Sequence, residues 1–145
     1  MENVKFNSPE AAEEAFYRAF EQGDHTAMMR VWAMGDDTEC IHPAGPRLRG
    51  HDAIARSWEV IFSSPGRYRI ALEACNRVCD RGLAVHIVDE RITVSVDPAQ
   101  HALVTVTNAY RREADGWKMF LHHASQVTSD ATQVEAGTSP PRRIH

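Results

Sequence analysis

The segment Leu83 to Val96, LAVHIVDERITVSV, decides the fold. Its period of two reads as a strand, with His86, Val88, Glu90 and Ile92 on one face. The chain before it has the same period. Tyr68, Ile70, Leu72, Ala74 and Val78 alternate with Arg69, Glu73 and Arg77, and Asp80-Arg81-Gly82 makes the turn between the two strands. After it, Asp97-Pro98 closes the strand and Ala102 to Glu113 forms a third, rich in Val and Thr. Asp115-Gly116 then turns the chain tightly into a fourth, Trp117 to Val127. Turns this short specify an antiparallel meander, because parallel neighbours need crossovers of about a dozen residues.

Ahead of the strands the period is helical. Ser8-Pro9-Glu10 supplies a capping hydroxyl, a proline at the first helical position and an acid facing the helix dipole. Ala12, Ala15, Phe16, Ala19 and Phe20 then form one apolar stripe, and Gly23 stops the helix. Asp24 caps a shorter helix with Met28, Val31 and Trp32 on its inner face. Glu39 to His42 is a short extended piece leading into the breaker-dense turn His42-Pro43-Ala44-Gly45-Pro46. Ile54, Trp58, Ile61 and Phe62 mark a third helix, ended by Ser63-Ser64-Pro65-Gly66. Helices followed by a run of strands define an α+β domain, over residues 1–127. Residues 128–145 show no periodicity and read as a mobile tail.

Composition narrows the function classes. The 145 residues suffice for one domain with its own core, needing no disulfide or metal staple. The formal charge of -4 argues against a nucleic-acid or anionic-membrane binder, which needs a basic footprint. No apolar run is long enough to span a bilayer, and Met1 to Phe6 has no apolar signal core. Cys75 and Cys79 lie four apart on a strand, roughly 13 Å at about 3.3 Å per residue, too far for a bridge. Three reduced, mostly buried thiols in a cytoplasmic protein is the expectation. The eight histidines include no HxH or HxxxH spacing, so no metal is expected, and with no phosphate-cradling glycine loop in the sequence no cofactor is expected either.

Four segments in order carry a family resemblance: Cys40-Ile41-His42-Pro43 through Gly50; Ala53-Ile54 with Ser57-Trp58; Thr107-Asn108-Ala109-Tyr110-Arg111; and Gly116-Trp117 through His122-His123-Ala124-Ser125. The chain resembles the nuclear-transport-factor-2-like superfamily in its SnoaL-like branch, and the association domain of calcium/calmodulin-dependent protein kinase II. The resemblance implies a cone: three N-terminal helices packed on a curved antiparallel sheet, with a pocket at the open end. It also implies a homodimer formed through the outer face of the sheet. Kinase association domains carry an arginine where this chain has Ala124, so a carboxylate clamp from that position is missing. The ketosteroid isomerases of the superfamily use an aspartate base for which no acid here matches.

Strand alternation nominates the site. Trp117, Met119, Leu121, His123 and Ser125 take one side of the last strand, and Val104, Val106, Asn108 and Tyr110 share a face of the preceding one. With the face of Glu90 turned inward, Glu90, Asn108, Tyr110 and His123 become polar groups in an apolar hollow, the composition of a small-molecule site. Glu90 and His123 are the candidate acid-base pair, His123 titrating near neutrality and Glu90 raised by desolvation. Asn108 and Tyr110 could donate to a developing oxyanion. Trp32 and Trp58 are placed as core and pocket wall, His42 at the rim, and Ser125 beside His123. Arg47 and Arg49 could receive a ligand carboxylate.

Three readings follow. The first is a pocket protein that binds, or turns over by acid-base chemistry, a small hydrophobic or carbonyl metabolite. The second is an oligomerising association module. In the third, Glu90 and His123 pair as a buried network that only rigidifies the fold.

Overall fold

The structure, a computed structural model, describes residues 4–128, and the tail read over 128–145 lies outside them apart from Thr128. The elements run α1 (Pro9–Gln22), α2 (His25–Val31), β1 (Glu39–Ile41), β2 (Arg47–Arg49), α3 (His51–Phe62), β3 (Tyr68–Asp80), β4 (Leu83–Val94), β5 (Asp97–Glu113) and β6 (Gly116–Gln126). The three helices and four long strands of the sequence reading are all present, and the class is α+β.

Capping chemistry sets the helix starts. Ser8 Oγ accepts from the Ala11 amide at 3.0 Å, and Asp24 Oδ1 accepts from Ala27 at 3.0 Å. Gly23 ends α1 with φ 64°, its amide donating back to the Ala19 and Phe20 carbonyls.

One six-stranded sheet has the order β2-β1-β6-β5-β4-β3. The long strands form the expected antiparallel meander. The extended piece before the 42–46 turn becomes β1 and the residues after that turn form β2; β1 runs parallel to β6 and antiparallel to β2, so the sheet is mixed. The hairpin expected at Asp97-Pro98 turns earlier, with Val94 opposite Asp97. Pro98 then lies in β5 beyond the reach of β6, which ends opposite Val104, so its missing N–H breaks no bond on that side.

Alternation fails in two places. In β3 it stops at Leu72: a register shift between Glu73 and Asn76, with Ala74 at φ 49°, leaves Ala74 and Val78 exposed rather than half-buried. Cys75 and Cys79 are exposed with them, and only Cys40 is buried, which corrects the expectation of mostly buried thiols. In β6 the pairing shifts between Ala109 opposite Leu121 and Tyr110 opposite Met119, which makes Phe120 the extra residue.

α1 lies over the inner face of the sheet, and Phe16, Phe20, Met28, Val31, Ile54, Trp58, Val88, Val106 and Met119 form the core. Gly116, at φ 108°, admits the chain start across the β5–β6 turn; a Cβ there would meet the Phe6 carbonyl at 2.8 Å. Among the described residues no helix is long and apolar enough to cross a membrane.

Candidate functional site

The inner face of β4 and β5 is the one the alternation selected: His86, Val88 and Glu90 of β4 and Val104, Val106, Asn108 and Tyr110 of β5 are buried. On β6 the extra residue shifts the inward set from Leu121, His123 and Ser125 to His122 and Ala124. His123 and Ser125 are exposed, which corrects their assignment to the hollow. The imidazole inside belongs to His122.

Four side chains then form one hydrogen-bonded chain. The Asn108 Oδ1 carbonyl can only accept, so His122 Nδ1–H donates to it, at 2.6 Å. Asn108 Nδ2 donates to the Tyr17 hydroxyl oxygen at 2.9 Å, and the Tyr17 O–H donates to Glu90 Oε2 at 2.5 Å. Every donor points toward Glu90. Glu90 is 2% exposed, and no Lys or Arg bonds its carboxyl among the described residues. Burial therefore pushes its pKa up to about 7, the Tyr17 hydrogen bond opposing only part of that. Burial depresses His122 to about 3, with His42 and His123 adding to the shift, so its imidazole stays neutral. Tyr17 is raised well above 10 by burial and by the facing Glu90 charge, and keeps its proton.

His42, at the end of β1, joins from the other side. Ser57 Oγ donates its only hydrogen to the Ile54 carbonyl at 2.7 Å. The 2.9 Å contact of His42 Nε2 with that oxygen therefore has the imidazole as donor, leaving Nδ1 an acceptor. Cys40 Sγ lies 3.5 Å from the same Nε2. Trp58 packs beside both imidazoles, 4.9 Å from the His42 ring centroid and 6.0 Å from that of His122, and on Phe16 and Phe20, 5.6 and 5.0 Å away. It is fully buried, and its Nε1 has no hydrogen-bond partner among the described residues.

Tyr110 belongs to a second buried cluster. Its ring lies 4.9 Å from that of His86, whose Nδ1 bonds Glu13 Oε2 at 3.1 Å, while Arg77 Nε donates to Glu13 Oε1 at 3.0 Å. Burial raises the Glu13 carboxyl, but the His86 and Arg77 hydrogen bonds outweigh it and hold it below its usual value. Trp32 is buried where its backbone bridges to Met119, and it borders a surface depression of about 480 Å³ shared with Met29, His51 and Lys118. Arg47 makes a two-point contact with Glu39, which also attracts Arg49, so these arginines are engaged on the surface.

The structure thus unites Glu90, Asn108, His42 and Trp58, places Tyr110 in the neighbouring cluster, sets Trp32 on another wall and excludes His123 and Ser125. Sequence reasoning missed Tyr17, His122 and Glu13. Glu13 and Tyr17 are four apart and flank Phe16, so the helical period that picked Phe16 and Phe20 could have found both. The larger surface depressions lie away from this chemistry, and one of about 760 Å³ is lined by Glu21, Asp24, His25 and Arg67. Among the described residues no three His, Cys, Asp or Glu groups could hold a metal ion.

A sheet folded around buried polar side chains under a covering helix is the architecture of the nuclear-transport-factor-2-like pocket proteins. The family model for the SnoaL-like domain matches residues 10–129, and the chain belongs to that family. A Thiobacillus denitrificans structure, provisionally described as a calcium/calmodulin-dependent protein kinase type II association domain, is 43% identical with a TM-score of 0.80, covering 86% of this chain and 99% of its own. A Streptomyces avermitilis protein of the NTF2-like family, provisionally described as a dehydratase, is 30% identical with a TM-score of 0.76, covering 82% and 93%. A ketosteroid isomerase-like protein from Erwinia carotovora atroseptica, 20% identical with a TM-score of 0.63 over 82% and 93%, shares the fold. Among curated proteins nothing matches the chain.

Proposed function

We propose that the protein takes a small, largely apolar, carbonyl-bearing metabolite between the inner face of the sheet and the covering helices α1 and α3, and that Glu90 exchanges a proton with it. One observation carries this reading: a carboxyl buried to 2% exposure, bonded to a neutral hydroxyl, poised at about pH 7. A general base or acid works best when its pKa lies near the operating pH. As the carboxylate, Glu90 takes a proton from the carbon beside the carbonyl, whose C–H electron pair passes into an enolate; as the acid, it returns that proton to the enolate. Tyr17 holds the carboxyl in place, and Asn108 and His122 hold Tyr17. Trp58 Nε1–H is the uncommitted donor available to the carbonyl oxygen. The reading sets the protein in the cytoplasm, where the exposed thiols of Cys75 and Cys79 stay reduced.

The test is incubation with a metabolite extract, followed by mass spectrometry of the solution and of ligand retained by the protein. Loss of one component with the wild type, absent with Glu90→Gln, is the expected result. Retention without turnover in both proteins would leave a binding module and remove the catalytic role.

A second reading, an association module, is favoured by the 43% identical neighbour provisionally described as such a domain. It expects a homo-oligomer built on the outer face of the sheet and no ligand at Glu90.

A further inference from the structure

The second buried cluster takes no part in the chemistry assigned to Glu90. Glu13 is 6% exposed and His86 fully buried, and Arg77 covers them from the surface. Glu13 is ionised and accepts from both neighbours, from Arg77 Nε at 3.0 Å and from His86 Nδ1–H at 3.1 Å. Glu10, one turn earlier on α1, brings a second carboxylate to 3.9 Å from His86 Nε2. Apolar side chains of similar volume often stabilise a core as well as a buried ion pair does, or better, so stability alone does not account for these charges. Apolar packing lacks direction, whereas hydrogen bonds to fixed partners set where a helix stands on its sheet.

The helical period shows what is being set. Glu13, Tyr17 and Glu21 stand four residues apart along one face of α1, and each reaches the sheet. Glu13 bonds Arg77 of β3 and His86 of β4, Tyr17 donates to Glu90 of β4, and Glu21 Oε2 accepts from the Ile70 amide of β3 at 2.8 Å. Neighbours in this row are about 6 Å apart along the axis, at about 1.5 Å per residue. The Tyr17–Glu90 bond therefore lies between two fixed contacts, one turn to either side. A displacement of α1 by about 1 Å along that bond takes it to the limit of hydrogen bonding.

We propose that Glu13, held by His86 and Arg77, is a positioning residue for the acid-base site: it fixes the register of α1 so that the Tyr17 hydroxyl meets Glu90. The inference rests on the reading of Glu90 as the proton-exchanging group and adds how that group is held. The titratable groups that feel the Glu90 charge are Tyr17 of α1 and Tyr110 of β5, both kept protonated. Its cross-strand neighbours, Leu72 of β3 and Val104 of β5, are apolar. The Tyr17 hydrogen bond is thus the contact that favours the carboxylate, and releasing α1 raises Glu90 further. Removing the Glu13 charge by itself acts the other way, since losing a like charge lowers a carboxyl. The sign of the shift separates position from charge.

The test is the titration of Glu90 by carbon-13 NMR of the side-chain carboxyls, its signal assigned by its absence from Glu90→Gln. Wild type is expected to titrate at about 7. Glu13→Leu removes both contacts and should raise that midpoint by about 0.5–1 unit, the direction in which Tyr17→Phe moves it. Glu13→Gln is the conservative variant. His86 moves its hydrogen to Nε2 and accepts from the new amide, whose oxygen keeps Arg77, so the midpoint should return to the wild-type value. Glu13→Asp keeps the charge but shortens the reach by one methylene, and it supplies the rise if Glu13→Leu does not fold. An unchanged midpoint in Glu13→Leu, or in Glu13→Asp where that variant decides, would reduce the cluster to packing and overturn the positioning role. A fall in Glu13→Leu and Glu13→Gln alike would overturn it in favour of charge. A wild-type midpoint at the ordinary 4.5 would overturn the acid-base reading of Glu90, and this inference with it.

Discussion

Glu90 and His122 are buried in one hydrogen-bonded chain but pull stability in opposite directions with pH. Burial raises Glu90 from its ordinary 4.5 to about 7, so the folded protein prefers it protonated. Below pH 4.5 the carboxyl is neutral in both states and this preference is fully present. As pH rises through 7, the folded protein must hold a buried carboxylate and the contribution is lost. At about 1.4 kcal/mol per pK unit, the loss is on the order of 3 kcal/mol. His122 behaves in reverse. Depressed from 6.5 to about 3, it contributes stability above pH 6.5 that disappears as pH falls toward 3. Urea titrations of wild type and Glu90→Gln at a series of pH values separate the two. The variant should match wild type below pH 4.5 and exceed it by about 1–3 kcal/mol above pH 8, because glutamine keeps the Tyr17 contact without the charge. Parallel curves would show that Glu90 titrates normally. Tyr17→Phe carries a different expectation. It strips Glu90 of the one side-chain hydrogen bond it makes among the described residues and Asn108 of a partner, and should lower stability by about 1–3 kcal/mol at every pH.

Among the elements, β6 explains both what the sequence disclosed and what it hid. The period of two and the short turns were enough for the four long strands, and the caps at Ser8 and Asp24 were enough for the first two helices. They also assigned the inner faces of β4 and β5 correctly, because those strands run without a shift through His86–Glu90 and Val104–Asn108. Beyond Phe120 the same rule puts His123 inside, whereas the structure buries His122. A bulge inserts one residue, and its position depends on how β5 and β6 pair, a property of two strands rather than of one. The polar positions of α1 were hidden for another reason. Glu13 is charged, a residue type that ordinarily faces solvent, yet Arg77 and His86 reach it from β3 and β4, strands more than sixty residues away. Alanine substitutions at the two histidines test the register. His122→Ala leaves Asn108 Oδ1 unpaired in the core and opens a cavity, so a loss of about 2–4 kcal/mol in urea denaturation is expected. His123→Ala should fall within about 0.5 kcal/mol of wild type in the monomer. The opposite order would return His123 to the interior.

At the scale of the whole molecule, the sheet has one face filled and one face open. α1 and α3 cover the inner side, but among the described residues no element covers the outer side. Its centre is the row Ile87–Thr107–His123 across β4, β5 and β6. Ile87 is 40% exposed and Leu83, on the same strand and the same side, 49%. Apolar side chains standing on an uncovered sheet are what a second copy would bury, and a pair of equivalent faces closes as a two-fold dimer. This gives His123 a place consistent with its exposure: it stands beside Thr107 on the surface a partner would cover. Light scattering at micromolar concentration should then return twice the chain mass of 16.3 kDa. Ile87→Glu puts a charge at the centre of that face without touching the buried Glu90 chain on the other side of the sheet. It should shift the protein to monomers while sparing any ligand binding that depends on Glu90 and Trp58. A wild type that scatters as a monomer would remove the dimer. An Ile87→Glu protein that stays dimeric would place the interface elsewhere, and the exposed edge strand β3 would become the surface to examine.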